Sequence, residues 1–219
     1  SLPDTYNSLR LSTYPSNMIS RLLVDFYKEW GTQFHIEYHE GSVEEITDHV
    51  HQGISEIGIV YVALKQVQTF QHILTHKNLE FVPQDVKKIC VYVGPNHPLY
   101  HTESIDFEDL SSLKFMRGVR DFFSMEHHLE RVSMGVIDNE KLHHVVYTNS
   151  DHLIIDLLLH SDVCSLGLDF MHEPYTQYAI KSLPINGCEP FLQMGYVFNP
   201  ERALSAQARW VVERFRKML

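Results

Sequence analysis

The feature that most constrains this chain is that its apolar periodicity keeps changing. Short stretches in which apolar residues alternate or run together give way to longer stretches in which they recur every three or four positions. The exchange repeats along all 219 residues, with no internal repeat, low-complexity run or long Pro/Gly linker. Leu9–Thr13 reads as a strand and runs into Tyr14-Pro15-Ser16-Asn17, which has helix-start chemistry: Pro suits the first turn, and Ser or Asn can cap it. Met18, Ile19, Leu22, Leu23, Phe26 and Trp30 then fall at helical spacing, and Gly31 supplies a stop. Phe34–His39 alternates as a half-buried strand does. Ser42 and Glu45 have the spacing of a capping box, with Val43, Ile46 and Val50 inward and Gly53 at the end. Glu56–Val62 is a continuous apolar strand, as expected where both faces are covered. Gln66–Thr75 reads as a helix, and Leu79–Pro83 and Lys88–Val93 as two further strands.

After Gly94-Pro95-Asn96-His97-Pro98 the pattern begins again. A short helix is expected near Phe107–Leu110, a strand over Lys114–Arg117 and a helix over Ser124–Val132. A strand follows over Val145–Thr148, then a Ser150-capped helix to His160, a strand over Cys164–Leu168 and a strand over Phe191–Phe198. An amphipathic helix over Ala206–Leu219 buries Trp210, Val211, Phe215 and Met218. Strands alternating with helices indicate parallel α/β units. The simplest assembly is α/β with two Rossmann-like lobes joined by two crossing strands, near Lys88–Val93 and Gln193–Phe198. Lobe I takes residues 8–92 plus 194–219, and lobe II takes 93–193. Such lobes form a cleft that a hinge opens and closes.

Composition narrows the function. The formal net charge of −10 speaks against nucleic-acid binding by this segment, because phosphate contacts need clustered Lys and Arg. The apolar runs Ile57–Leu64 and Leu153–Leu159 are too short to cross a bilayer, and Asp156 breaks the second, so no membrane association is expected. No signal peptide is visible, which places the chain in the cytoplasm, and the initial Ser is that of a processed or truncated chain. Cys90, Cys164 and Cys188 form no CxxC pair and read as buried free thiols. GxGxxG, P-loop, GxSxG and HExxH motifs are absent. The 15 histidines include the adjacent pairs His127–His128 and His143–His144, whose spacing does not suit one shared ion. His35 and His39 share a strand face with Glu37 between them. They too are read as solvated or half-buried, and neither a metal nor another cofactor is expected.

In open α/β sheets ligands bind beyond the carboxyl ends of the strands. That rule selects Ser12–Asn17, Tyr61–Ala63, Arg117–Ser124 and Thr148–Ser150. Three of these combine hydroxyls or amides with a following helix N-terminus, which suits a carboxylate or phosphate. Arg117 and Arg120 add a charged clamp. Ser16, Ser42 and Ser150 also serve as ordinary caps. Thr13 and Thr148 each end a strand, in equivalent places of the two lobes.

Taken in order, these segments resemble the effector-binding domain of LysR-type transcriptional regulators. The resemblance is carried by LRLSTYPS (Leu9–Ser16), FHIEYHEGSVEEITDHVHQGISEIGIVYV (Phe34–Val62), CVYVGPNHPL (Cys90–Leu99) and VYTNSDHLIIDLLLHSDVCSLGLDFM (Val146–Met171). It implies a type 2 periplasmic-binding-protein-like fold with an effector pocket between the lobes. Thr13, Tyr14, Ser16 and Asn17 would come from lobe I and Arg117, Gly118, Thr148 and Asn149 from lobe II, with Tyr61 and Val62 on the wall. It implies a small-molecule effector, typically an organic acid or amino-acid-like anion, and a homodimer or tetramer formed through these domains, with Asn17–Trp30 as part of the interface. DNA would be reached only through an N-terminal winged helix-turn-helix, which Leu2–Ser8 is too short to hold. Tyr14 and Phe122–Phe123 favour a ligand with an apolar or ring portion. The rival readings are a transporter's solute-binding protein, which shares the fold, and an enzyme. The enzyme reading lacks a carboxylate pair or activated Cys in the cleft segments, so no catalytic residue is assigned.

Overall fold

The computed structural model describes residues 7–31, 33–118, 121–138, 142–169 and 178–219. The chain divides into two compact units, one of Ser1–Asp85 with Gln193–Leu219 and the other of Val86–Leu192.

The first unit is built on β1 (Ser8–Thr13), β2 (His35–Glu40) and β3 (Ile57–Ala63), with α1 (Asn17–Trp30), α2 (Val43–His51) and α3 (Val67–His76) as the connections. β1 lies between β2 and β3 and is parallel to both, with Thr13 opposite Glu40 on one side and Ile59 on the other. Each connection is a helix, as parallel neighbours require. Leu9 and Leu11 of β1 and Ile57, Ile59 and Val60 of β3 are buried, as their apolar runs require. Ser16 caps α1 by accepting the Ile19 N–H at 3.3 Å, and Gly31 ends it at φ 76°. Ser42 and Glu45 form the expected reciprocal box at the start of α2. The chain returns to this unit through β9 (Leu192–Phe198) and α6 (Ala206–Met218). On α6 Val211 and Phe215 are buried, whereas Trp210 and Met218, expected inside, are half-buried. The Trp210 ring meets Phe26 edge-on at 5.4 Å.

The second unit contains β5 (Lys114–Arg117), β6 (His143–Tyr147) and β7 (Val163–Asp169), with α4 (Leu129–Val132) and α5 (Asp151–His160) between them. β5 is parallel to both β6 and β7. One strand, β4 (Glu80–Val93), begins in the first unit and ends in the second, where Lys88–Tyr92 pair antiparallel with β7.

Two sequence expectations about elements are corrected, and one strand is added. Leu79–Pro83 and Lys88–Val93 are not separate strands: from Glu80 to Val93 they belong to the 14-residue β4. Pro83 is compatible with extended backbone and only removes a donor. The Asp85 carbonyl accepts the Gln193 side-chain amide at 3.0 Å. The helix expected over Ser124–Val132 is a 3₁₀ turn at Met125–His128 followed by the single turn of α4, and of these residues only Leu129 is buried. β8 (Lys181–Pro184) has no counterpart in the sequence reading. It exists by pairing with Cys90–Val93.

The three cysteines are free and buried. Burial pushes the Cys164 thiol up to about 12 and raises Cys90 and Cys188 as well, so all three remain protonated thiols. Among the described residues no helix is long and apolar enough to cross a membrane.

Two positions give direct checks on this packing. A Cβ on Gly94 would lie 1.5 Å from the Leu158 carbonyl oxygen of α5, a backbone atom that cannot swing away. Gly94→Ala is expected to destabilise the chain by about 3 kcal/mol, read as a lowered denaturation midpoint at unchanged m-value. His97, in the His-Pro-Leu turn, is buried and accepts the Leu99 N–H on Nδ1 at 3.1 Å. Burial lowers its pKa, partly offset by Asp162. Its neutral form therefore contributes stability above the ordinary pKa of about 6.5, and that contribution is lost as pH falls towards the lower folded value. His97→Asn is expected to flatten the loss of unfolding free energy between about pH 7 and pH 5, measured by urea titration beside the native chain.

Candidate functional site

The strand ends selected by sequence are polar in both units, and each is organised around a helix start. In the first unit Thr13 closes β1 and is fully buried. Its hydroxyl donates to the Tyr14 carbonyl at 2.5 Å and lies 3.1 Å from the Tyr38 hydroxyl. Tyr38 donates to Glu40 Oε2 at 3.2 Å, and the same oxygen accepts the Ser16 N–H at 3.0 Å. Burial is the main cause that raises the Tyr38 phenol, and the Glu40 charge adds to it, so the phenol holds its proton. Tyr14 is buried and meets Tyr61 edge-on at 5.2 Å. Val62 is buried, and Ser16, Asn17 and Tyr61 are half-buried.

The opposite face of β1 holds a separate network. Ser12 Oγ lies 2.6 Å from Ser55 Oγ and 2.9 Å from His49 Nδ1, and His49 meets His39 edge-on at 5.2 Å. Ser12 and Ser55 have almost no exposed surface, so this network satisfies buried polar groups under α2. Among the described residues no three His, Cys, Asp or Glu side chains are grouped to hold a metal ion.

In the second unit the Thr148 N–H donates to the Arg117 carbonyl at 3.0 Å, which joins the ends of β5 and β6. Thr148 Oγ1 accepts the Ser150 N–H at 2.9 Å, and Ser150 Oγ accepts the Leu153 N–H at 3.2 Å, capping α5. Thr148 is half-buried, and Asn149 and Gly118 are exposed. Added atoms at Gly118 would meet only the Thr148 carbonyl, at 3.9 Å, so this glycine is not needed for space. Arg120 lies outside the described residues. Phe123 is buried, and Phe122 is 56% exposed beside it.

Arg117 is not a bare cation. Its Nη1 donates to the Tyr147 hydroxyl at 2.6 Å, its guanidinium lies 5.2 Å from the Tyr147 ring centre, and Nε is 3.6 Å from Glu126 Oε2. His144 Nε2 lies 3.4 Å from the same Glu126 oxygen. These side chains are 13% (Arg117), 15% (Glu126) and 10% (His144) exposed, so the carboxylate is held in a dry setting between two basic groups.

The structure thus brings Thr13, Tyr14, Ser16 and Tyr61 together in one unit and Arg117, Gly118 and Thr148 in the other. Sequence reasoning missed Tyr38, Glu40, Glu126, His144 and Tyr147. A signal existed for Glu40, since the alternation that set Phe34, Ile36 and Tyr38 on one face continues to position 40. None existed for Glu126, whose partner on β5 is fixed by the fold. A cavity of about 660 Å³ also lies in the first unit, near the amino ends of β1 and β3, lined by Arg10, Trp30, Phe34, Glu56 and Ser205 among others. It contains none of the residues selected from sequence.

Because Glu126 compensates a largely buried guanidinium, Glu126→Gln is expected to cost about 1–2 kcal/mol in chemical denaturation. Tyr147→Phe, at a position 67% exposed, should cost less.

The LysR substrate binding domain model matches residues 8–219. Among solved structures, the effector-binding domain of QuiR in complex with shikimate aligns with a TM-score of 0.66 at 15% identity, covering 97% of this chain and 98% of that one. The C-terminal domain of a probable LysR family regulator from Rhodococcus sp. RHA1 gives 0.63 at 17% identity, covering 96% and 98%. HinK, a LysR family regulator from Pseudomonas aeruginosa, gives 0.63 at 12% identity, covering 99% of this chain and 72% of that one. No curated protein sequence matches significantly. At these identities the structural likeness is one of fold, and the fold is the type 2 periplasmic-binding-protein-like one. The family model supplies the rest: over nearly its whole length this chain belongs to the LysR substrate-binding domains.

Proposed function

We propose that this domain is the sensor of a LysR-type transcriptional regulator and binds a small-molecule effector at the strand ends of its two units. The observation that carries the reading is the family match over residues 8–219, in a chain whose β1 and β6 both hand over to helices through polar residues. Tyr14, Ser16, Asn17, Tyr61 and Val62 form the first unit's share of the site, with Thr13 acting from beneath through Tyr38. Thr148, Asn149 and Gly118 form the second unit's share, with Arg117, and Arg120 beside it, supplying positive charge. An acid or amino-acid-like effector suits the second share, where Arg117 ends β5 and the positive end of α5 follows β6.

The role is sensing rather than catalysis. The effector acts through its differential affinity for two arrangements of the units, and the intact, cytoplasmic regulator passes that difference to its DNA-binding domains. Association into dimers or tetramers through these domains, with α1 contributing, would make one binding event alter the spacing of the DNA-reading segments.

A thermal-shift screen of the chain against organic acids, amino acids and aromatic acids tests the reading, since a ligand that binds only the folded state raises the melting temperature. One class is expected to raise it in proportion to the logarithm of concentration. Thr148→Val should weaken that ligand about tenfold or more, the loss of one hydrogen bond to a charged group, and lower the unliganded melting temperature by about 2–4 °C through the lost acceptor for the Ser150 N–H. Unchanged affinity in both Thr148→Val and Asn149→Ala would overturn the site.

A further inference from the structure

The adjacent histidine pairs do not suit one shared ion, but His72 and His76 lie four apart on α3, and helical geometry sets them on one face. Phe70 and Leu74 are buried on the opposite side of α3, which fixes its rotation, and both histidines are exposed. Their Nε2 atoms stand 3.3 Å apart. The ring centroids are only 4.8 Å apart, with the planes perpendicular. Two imidazoles meeting nitrogen to nitrogen head-on would hold their centroids further apart than the nitrogens by a full ring diameter. The contact is therefore a poorly aligned hydrogen bond at the long end of the usual range.

The same separation fits a second use. Two imidazole nitrogens on one tetrahedral ion, each at about 2.0–2.1 Å, stand about 3.3–3.4 Å from one another. An ion between the rings replaces one weak hydrogen bond by two coordinate bonds, and the donor ring's proton moves to its Nδ1. Once the first nitrogen binds, the second is held beside the ion at high effective concentration. Lys77, the cation that follows His76 in sequence, is paired with Asp48 at 2.7 Å. Among the described residues no third His, Cys, Asp or Glu is grouped with the two histidines, so the other positions on the ion belong to water.

We infer that His72 and His76 form a two-armed clasp for a divalent transition ion, Cu²⁺, Ni²⁺ or Zn²⁺, on the solvent face of α3. Imidazole suits these ions, whereas Mg²⁺ and Ca²⁺ take oxygen ligands. The clasp is independent of the effector reading: it lies on the helix that joins β3 to β4 and shares no residue with the strand ends.

The test uses the chain free of any affinity tag, titrated with each of the three ions by calorimetry at about pH 7.5, where ordinary imidazole is neutral. Cu²⁺ is expected to bind tightest, with Ni²⁺ and Zn²⁺ weaker. In amide spectra of the ¹⁵N-labelled chain, substoichiometric Cu²⁺ should broaden the signals around His72–His76 first. His72→Ala and His76→Ala each remove one arm and should weaken Cu²⁺ about tenfold or more. Alanine is the best helix former, so at these exposed positions both variants should keep the native fold, read as a urea midpoint no lower than the native one. If either variant keeps the native affinity, the ion rests on one histidine and the clasp is overturned. Broadening that begins elsewhere among the 15 histidines and spares His72–His76 overturns it as well, with no dependence on the variants.

Discussion

The first N–H groups of a helix have no partner within it, and a chain that alternates strands and helices must answer that deficit at every junction. Here the answers come from side chains, and they differ. At α1 the Ser16 N–H goes to Glu40, at α2 the Ser42 N–H goes to Glu45, and at α6 the Ser205 N–H goes to Glu56 at 2.7 Å. At α5 the Ser150 N–H goes to Thr148 Oγ1. Each such cap is worth about 1 kcal/mol. Its larger consequence is functional, because the carboxyl ends of the strands are where this architecture binds ligands. Whatever satisfies a helix start there also sets which charge that position will accept.

This gives the acidic balance of the chain a specific use. A net charge of −10 first reads only as a poor match to nucleic acid. In the structure several of the carboxylates work at helix entrances, where the positive end of the helix favours them. Glu45 is a local cap, three residues from its partner, whereas Glu40 and Glu56 are tertiary ones, reaching amides 24 and 149 residues away in sequence. Glu56 accepts both the N–H and the hydroxyl of Ser205, which ties the returning α6 to the start of β3.

What was legible in the sequence follows from the same distinction. The α1 stripe, the Ser42–Glu45 box, the buried run of β3 and the caps at Ser16 and Ser150 are set by residues within a few positions of one another, and all stand where local pattern puts them. The failures are those in which a distant segment decides. β4 was read as two strands, yet Glu80–Val93 is continuous, and the Gln193 side chain, 108 residues away in sequence, takes the Asp85 carbonyl in its middle. β8 is four residues long and is specified by its partner β4. In the sites, Thr13, Ser16 and Thr148 were found as strand-end hydroxyls. Arg117 was found as a charge but not as a charge already balanced, because Glu126, His144 and Tyr147 reach it from other elements.

The two strand ends therefore differ in a way that their matching sequence positions conceal. Thr13 and Thr148 both finish a strand before a helix, but their hydroxyls work in opposite senses. Thr13 Oγ1 gives its proton to the Tyr14 carbonyl and lies beneath a phenol that serves a carboxylate. Thr148 Oγ1 is itself the acceptor that completes a helix start. The first end gathers acceptors around a negative charge, whereas the second combines a hydroxyl cap with a guanidinium held between a phenol and a carboxylate.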